Sequence, residues 1–435
     1  MSLRLRHLLC LALPVAALAC TAPSADDATS AEQADTGWLG DTSYEVGASF
    51  RAKVVANAQG ELADVATSDE TQMSVVDAQW KYAKLQLEKQ GWHLNQLADS
   101  LRIVDKQVDG RKVTLTYEAK VDIIHELRSG ADAPSLEQIE PRRFELKLPS
   151  EPTGAYARAG GKCHENVHGD SPTADYNFYY YFSPKEGCPL AMENVTLSID
   201  QVYERKTVYP EYDQLLSGLG QGRKGFRAAL VPAEGDNDPM SRFDAHKRML
   251  ERDLGLTGTR VDDDKILRFV LEKEGTEIEI DLHDPTKLSL TPSFRAALRS
   301  YQLVFFNGHS RYGTRDFLTD RDSFSDKYQI VMMHSCRSYP YYVRQVFRGK
   351  ATEADPTGWA AADVVATGES SYPTDSPRTL KPLLQGLSEG LAAVESGRAT
   401  RAPSWLSMVS KMNDATSGIM YGVAGVRTNR WKPIR

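Results

Sequence analysis

The sequence is poor in cysteine, in long hydrophobic runs and in excess positive charge. Five cysteines in 435 residues allow at most two disulfides. The apolar segment at residues 8–18 is too short to span a bilayer in the mature protein, and no later segment is apolar enough to do so. The 52 lysines and arginines are outnumbered by 59 acidic residues, and the net charge of -7 argues against a nucleic-acid partner. The hydrophobic content of 41% is that of an ordinary globular chain.

The first 20 residues have the pattern of an export signal. Arg4 and Arg6 precede the apolar segment, and residues 17–20 (ALAC) follow it. Small residues before Cys20 resemble the lipobox of bacterial lipoproteins, in which the cysteine is acylated and becomes the N-terminus. The resemblance implies an exported, cell-envelope lipoprotein attached to a lipid membrane through Cys20. Thr21 after the cysteine favours the outer membrane by the same resemblance. The alternative is an ordinary signal peptide cleaved after Ala19.

Three cysteines remain beyond Cys20. In an exported protein two of the three are expected to pair, and Cys163 and Cys188 flank one segment. We therefore expect a Cys163–Cys188 disulfide and a free thiol at Cys336. A zinc site formed by these two cysteines with His164 and His168 is the alternative, although the spacing matches no common zinc pattern.

Two regions with different patterns follow a tether predicted at residues 21–44, which is rich in small and polar residues. Residues 45–215 predict a smaller, β-rich α+β domain. A helix is expected at 71–90, and strands are expected at 111–123, 144–148, 176–182 and 194–203. The strand at 176–182 is predicted from its aromatic content.

Residues 222–420 alternate between strands and helices, which predicts a parallel sheet with helices on both faces. The remaining residues, 421–435, are interpreted as a solvated basic tail. The elements expected in residues 222–420 are strands at 226–232, 276–282, 301–309, 328–336 and 362–368, a short helix that begins at 291–292, and helices at 241–254, 265–274, 339–349, 376–397 and 403–413.

Two of these predicted strands end in reactive side chains. The first leads to His309 and the second to Cys336, and the carboxyl ends of parallel strands lie at one edge of a sheet. An imidazole near a cysteine favours the thiolate and can act as base and then as acid. A helix predicted directly after Cys336 would favour the thiolate further. The sequence therefore predicts a Cys336–His309 dyad.

This arrangement resembles the clan of cysteine peptidases that includes caspases, legumain, clostripain and gingipains. The resemblance is based on residues 304–309 (VFFNGH), 330–336 (IVMMHSC), 364–370 (VVATGES) and 383–390 (LLQGLSEG). It implies a caspase-like, three-layer α/β domain over residues 222–420, with Cys336 as nucleophile and His309 as acid and base. It also implies that the backbone N–H groups of Ser310 and Cys336 bind the oxyanion. The clan usually has glycine where this chain has Ser310.

The same resemblance assigns substrate binding to the loop after the first strand of the domain. Glu234, Asp236 and Asp238 in this loop would suit an Arg or Lys side chain, and a solvated acidic turn is the alternative. His334 is a second possible base for Cys336. The residues around Ser310 also resemble a serine-hydrolase elbow, but the second glycine comes one residue too late.

The function expected from these observations is that of an exported, membrane-anchored cysteine endopeptidase acting on a peptide or protein substrate. No cofactor and no metal are expected, and the acidic run at residues 262–264 lacks the spacing of a calcium loop. The alternative, favoured by Ser310, is a catalytically inactive surface lipoprotein that uses a peptidase-like fold for binding or scaffolding.

Overall fold

The computed structural model describes residues 37–94, 101–127, 131–167, 169–233, 239–311, 318, 320–416 and 419–433. The chain from Asp35 to Arg435 forms one compact unit. Among the described residues, no helix combines the length and the apolar character that crossing a membrane requires.

Strands and helices alternate along most of the described chain. The strands are β1 (Trp38–Leu39), β2 (Ser43–Asn57), β3 (Trp92–Leu94), β4 (Arg102–Asp109), β5 (Lys112–Glu126), β6 (Arg143–Pro149), β7 (Met192–Val202), β8 (Gly225–Pro232), β9 (Thr259–Val261), β10 (Ile266–Lys273), β11 (Thr276–His283), β12 (Leu303–Asn307), β13 (Gln329–His334), β14 (Ala362–Thr367) and β15 (Tyr421–Ala424). The α-helices are α1 (Asp69–Trp80), α2 (Lys84–Glu88), α3 (Ala155–Ala159), α4 (Asp175–Tyr181), α5 (Tyr212–Leu216), α6 (Pro239–Arg248), α7 (Leu290–Ser300), α8 (Ser338–Lys350), α9 (Ser376–Glu395) and α10 (Trp405–Asp414).

A nine-stranded mixed sheet has the order β1-β15-β14-β13-β12-β8-β11-β10-β9. The five strands from β14 to β11 in this order are parallel, and the outer strands on both sides are antiparallel. Every residue of β12, β13 and β14 is buried, as expected for parallel strands that are covered on both faces.

A second, six-stranded sheet has the order β3-β5-β2-β7-β6, with β4 paired to β5. All its pairings are antiparallel. One hydrophobic core contains side chains from this sheet, from α7 and α8, and from one face of the large sheet. A second core contains α6, α9, α10 and the opposite face of the large sheet. The large sheet is therefore covered on both faces. The two predicted domains correspond to two sheets that share a core, rather than to separately packed bodies.

The strand predicted at residues 176–182 is wrong, because this segment forms helix α4. The carboxamide oxygen of Asn177 accepts hydrogen bonds from the backbone N–H groups of Thr173 (3.1 Å) and Ala174 (3.2 Å), just before the helix. Phe178 and Tyr181 are fully buried. Packing of the aromatic rings and an amide cap thus override the strand preference of the aromatic residues.

The helix predicted at residues 265–274 is also wrong, because the segment forms strand β10 of a hairpin with β11. Lys273 pairs with Thr276, and the two residues between them, Glu274 and Gly275, both have positive φ. Two such residues form the tight turn that suits a two-residue hairpin.

The predicted ends of the chain differ from the structure as well. Trp38 and Leu39, placed in the tether, form β1 and pair with β15, which begins the predicted basic tail. Trp38 is buried, and its ring lies 4.7 Å from that of Tyr339. Arg427 pairs with the buried Glu45. The tether and tail predictions are therefore wrong at residues 38–39, 43–44 and 421–424, because residues 38–39 and 421–424 complete the large sheet and residues 43–44 begin strand β2 of the six-stranded sheet.

Candidate functional site

The two strands that lead to His309 and Cys336 are neighbours. Strands β12 and β13 are parallel, with Asn307 opposite His334. The backbone N–H of Gly308 donates to the carbonyl of His334 over 3.3 Å, which extends the pairing by one residue. His309 and Cys336 each follow this last paired position by two residues. Both therefore emerge from the same edge of the sheet, on strands about 5 Å apart.

His309 is exposed at this edge, and Ser310 is buried. The carbonyl of Ser310 accepts a hydrogen bond from the hydroxyl of Tyr342 in α8. The turn after β12 is thus attached to the helix that follows Cys336. The assignment of the Ser310 and Cys336 N–H groups to an oxyanion site stays a prediction.

Cys336 is half-buried and is the free cysteine of the described chain. Its Sγ donates to the carbonyl oxygen of Ser371 over 3.5 Å. Arg337, which has positive φ, follows it as the N-cap of α8. The thiol therefore lies next to a helix N-terminus and donates its proton to a backbone carbonyl.

Both ring nitrogens of His334, the alternative base, are hydrogen-bonded to groups other than Cys336. Its Nε2 lies 3.0 Å from the carbonyl oxygen of Tyr372, and its Nδ1 lies 2.6 Å from the hydroxyl of Tyr421. A carbonyl can only accept, so Nε2 carries the proton and Nδ1 accepts from Tyr421. Burial lowers the pKa of His334 to about 3. This imidazole is neutral and has no nitrogen available for Cys336.

The predicted disulfide is confirmed. Cys163 and Cys188 are bonded, with their Cα atoms 5.1 Å apart. The bond leaves no thiolate for the alternative zinc site with His164 and His168, because a zinc ligand must be a free thiolate. His168 lies outside the described residues.

Four predicted positions lie outside the part of the chain that the structure describes. They are the lipidation site Cys20 and the acidic substrate-loop residues Glu234, Asp236 and Asp238. The structure does give the position of Ala233, whose backbone N–H donates to the carbonyl of Asn307 over 2.8 Å. Strand β8, which precedes these residues in the chain, thus ends at the edge that carries His309, beside β12.

Sequence reasoning missed a group of three ionisable side chains at the same edge. His93 is in β3, Glu126 ends β5, and Glu369 comes two residues after the end of β14. One ligand atom from each lies within 4.8 Å of the others. Burial, followed by the nearby charge of Glu369, raises the pKa of Glu126. No local sequence motif predicts this group, because its members come from two sheets and from three separate parts of the chain.

The large sheet places Glu369, one member of this group, next to the residue that follows Cys336. Strand β13 lies between β12 and β14, so His309 and Glu369 follow the two strands that flank the one leading to Cys336. The backbone N–H of Arg337, the residue after Cys336, donates to the carbonyl of Glu369 over 2.7 Å.

Comparison with known proteins gives no relative: no family model, no curated protein and no solved structure matches this chain.

Proposed function

We propose that this protein is an exported, membrane-anchored cysteine endopeptidase of caspase-like fold, with Cys336 as nucleophile and His309 as acid and base. The observation that carries the proposal is the register of β12 and β13, in which both residues lie two positions beyond the Asn307–His334 pair. A second support is the state of His334, whose two ring nitrogens are already used.

In this mechanism His309 takes the thiol proton, and the Cys336 thiolate attacks the carbonyl carbon of the substrate. The resulting oxyanion is bound by the backbone N–H groups of Ser310 and Cys336. His309 then protonates the leaving amine, and water hydrolyses the thioester. The Cys336 thiol must leave the Ser371 carbonyl before attack, since the proton it shares there is the one His309 removes.

A second candidate is an inactive lipoprotein that uses this fold for binding or scaffolding. The specific observation in its favour is the contact between Cys336 Sγ and the Ser371 carbonyl, in which the thiol is hydrogen-bonded to the backbone. Ser310, where the peptidase clan has glycine, also supports it.

Alkylation kinetics separate the two candidates. A chain that starts at residue 21 has Cys336 as its single unpaired cysteine, so iodoacetamide uptake reports on that thiol alone. The peptidase predicts rapid alkylation at pH 7 that slows at least tenfold in His309→Ala, together with labelling by a peptide that carries an electrophilic group. Cys336→Ala should abolish both signals.

The matched control for the histidine is Ser310→Gly, which restores the residue usual in the clan and should retain or raise peptide labelling. Slow alkylation that is unchanged in His309→Ala would support the scaffold and count against the dyad. Digestion of model peptides then tests the acidic loop: a preference for Arg or Lys before the cut should fall when Asp236 and Asp238 are both changed to Asn.

A further inference from the structure

The side chains of His93, Glu126 and Glu369 converge at the junction of the two sheets. His93 Nε2 lies 2.9 Å from Oε1 of Glu369. All three ligand atoms lie within 4.8 Å of one another, so shifts of about 1 Å in the side chains would bring them to one ion at bond lengths of about 2 Å. His93 comes from β3 and Glu126 from β5, which pair in the six-stranded sheet, whereas Glu369 belongs to the large sheet.

The buried imidazole is the observation that points to a ligand. His93 is only 5% exposed, and within the described residues neither of its ring nitrogens makes a hydrogen bond. Its Nε2 lies at ion-pair distance from Oε1 of Glu369, whereas its Nδ1 has no polar partner among the described residues. A buried polar side chain without a hydrogen bond is costly unless something else occupies it.

We propose that His93, Glu126 and Glu369 bind a divalent transition-metal ion such as zinc. The donor set is one imidazole nitrogen and two carboxylate oxygens. Imidazole suits zinc and similar metals, whereas calcium and magnesium prefer oxygen alone. Three protein ligands leave a fourth position of a tetrahedral ion for water or another small ligand.

The ion also relieves an electrostatic conflict. Two carboxylates so close together repel each other, and a divalent cation between them neutralises both. Access is available, because Glu126 is exposed and lines a cavity of about 460 Å3 that is also bordered by Thr42, Asp414 and Met420.

The consequence of binding is a link between the two sheets beside Cys336. Glu369 is held by its carbonyl to Arg337 N–H, and the segment it begins supplies the Ser371 carbonyl that contacts the Cys336 thiol. A bound ion would therefore stabilise the fold and fix this segment. The inference does not depend on the peptidase proposal, since the three ligands are distinct from His309 and Cys336.

The test is titration of the untagged chain from residue 21 with zinc chloride after treatment with EDTA. We expect one ion per chain by calorimetry, release of protons as ligands deprotonate, and a rise in the melting temperature. Glu126→Gln and Glu369→Gln should each weaken binding at least tenfold. Both keep the shape of the side chain, and circular dichroism checks that each variant is folded.

The matched control is Asp414→Asn, which removes a carboxylate from the same cavity but not from the three ligands, and should leave zinc binding unchanged. Cys336→Ser should also leave it unchanged. The proposal is overturned if the wild-type chain does not bind zinc below millimolar concentration, if neither glutamine variant weakens binding, or if binding is lost in Cys336→Ser instead.

Discussion

The hydroxyl of Tyr421 donates a hydrogen bond to Nδ1 of His334, with the two atoms 2.6 Å apart. Tyr421 begins β15, which lies in the large sheet next to β14, and His334 ends β13. The contact passes across β14 and sets the tautomer of the imidazole. It explains why the histidine closest to Cys336 in sequence is a structural residue.

Tyr421→Phe should therefore destabilise the protein without affecting the reactivity of Cys336. The variant leaves a buried imidazole nitrogen without its donor, which costs about 1 to 3 kcal/mol of the free energy of unfolding. Urea denaturation measures this loss. The rate of Cys336 alkylation by iodoacetamide should stay within about twofold of wild type.

The control is Tyr372→Phe, since the Tyr372 side chain is 62% exposed and only its carbonyl contacts His334. It should change neither quantity. A tenfold slower alkylation in Tyr421→Phe, with the fold intact, would show that His334 rather than His309 governs the thiol.

Asp363 provides a prediction about pH. Its Oδ2 accepts hydrogen bonds from Tyr328 (2.6 Å), Trp405 (2.6 Å) and Asn429 (2.8 Å). Complete burial outweighs these bonds and raises the pKa of Asp363 from 3.8 to about 7. Between these two pH values the folded protein holds a proton that the unfolded chain has lost. The contribution of Asp363 to stability therefore falls as the pH rises from about 4 to 7.

Asp363→Asn removes this dependence and retains an oxygen that can accept the three hydrogen bonds. The free energy of unfolding of wild type relative to the variant should decrease between pH 4 and pH 8, by up to about 4 kcal/mol. Any cost of the new amide group is the same at every pH and drops out of the comparison. Parallel urea titrations at several pH values measure the difference, and a constant difference would mean that Asp363 is ionised throughout.

Two glycines in α9 give a packing prediction. A Cβ on Gly390 would lie 2.1 Å from the ring of Tyr212, which is fully buried and whose hydroxyl donates to Pro403. A Cβ on Gly386 would lie 2.6 Å from the side chain of Met408. In a helix, alanine is more favourable than glycine by about 1 kcal/mol of the free energy of unfolding. Forcing an extra methyl group into a packed core costs about 1 to 3 kcal/mol, which outweighs that gain.

We expect Gly390→Ala to lower the melting temperature clearly, because an aromatic ring held by a hydrogen bond cannot move aside. Gly386→Ala should have a smaller effect, since methionine is flexible and can repack. Both variants replace a glycine of α9 with alanine. The difference between their melting temperatures therefore reports on the neighbouring side chain, which is Tyr212 for Gly390 and Met408 for Gly386. Equal melting temperatures in the two variants would contradict this explanation.

Much of the fold was predictable because it depends on local patterns. The buried runs that became β12, β13 and β14, and the helices α7 to α10, follow from hydrophobic periodicity and from turn residues. The failures have a common cause. Residues 176–182 and 265–274 have side chains compatible with more than one conformation, and packing around Phe178 and the tight turn at Glu274 decided between them.

The sequence by itself determined the free thiol, the disulfide partners and the strands that deliver His309 and Cys336 to one edge. Only the tertiary structure decided the state of His334, which depends on Tyr421, and the convergence of His93, Glu126 and Glu369. The physical reason is that a strand is specified by residues that are close together in sequence. The burial of an imidazole, and the approach of ligands from two sheets, depend on contacts between distant parts of the chain.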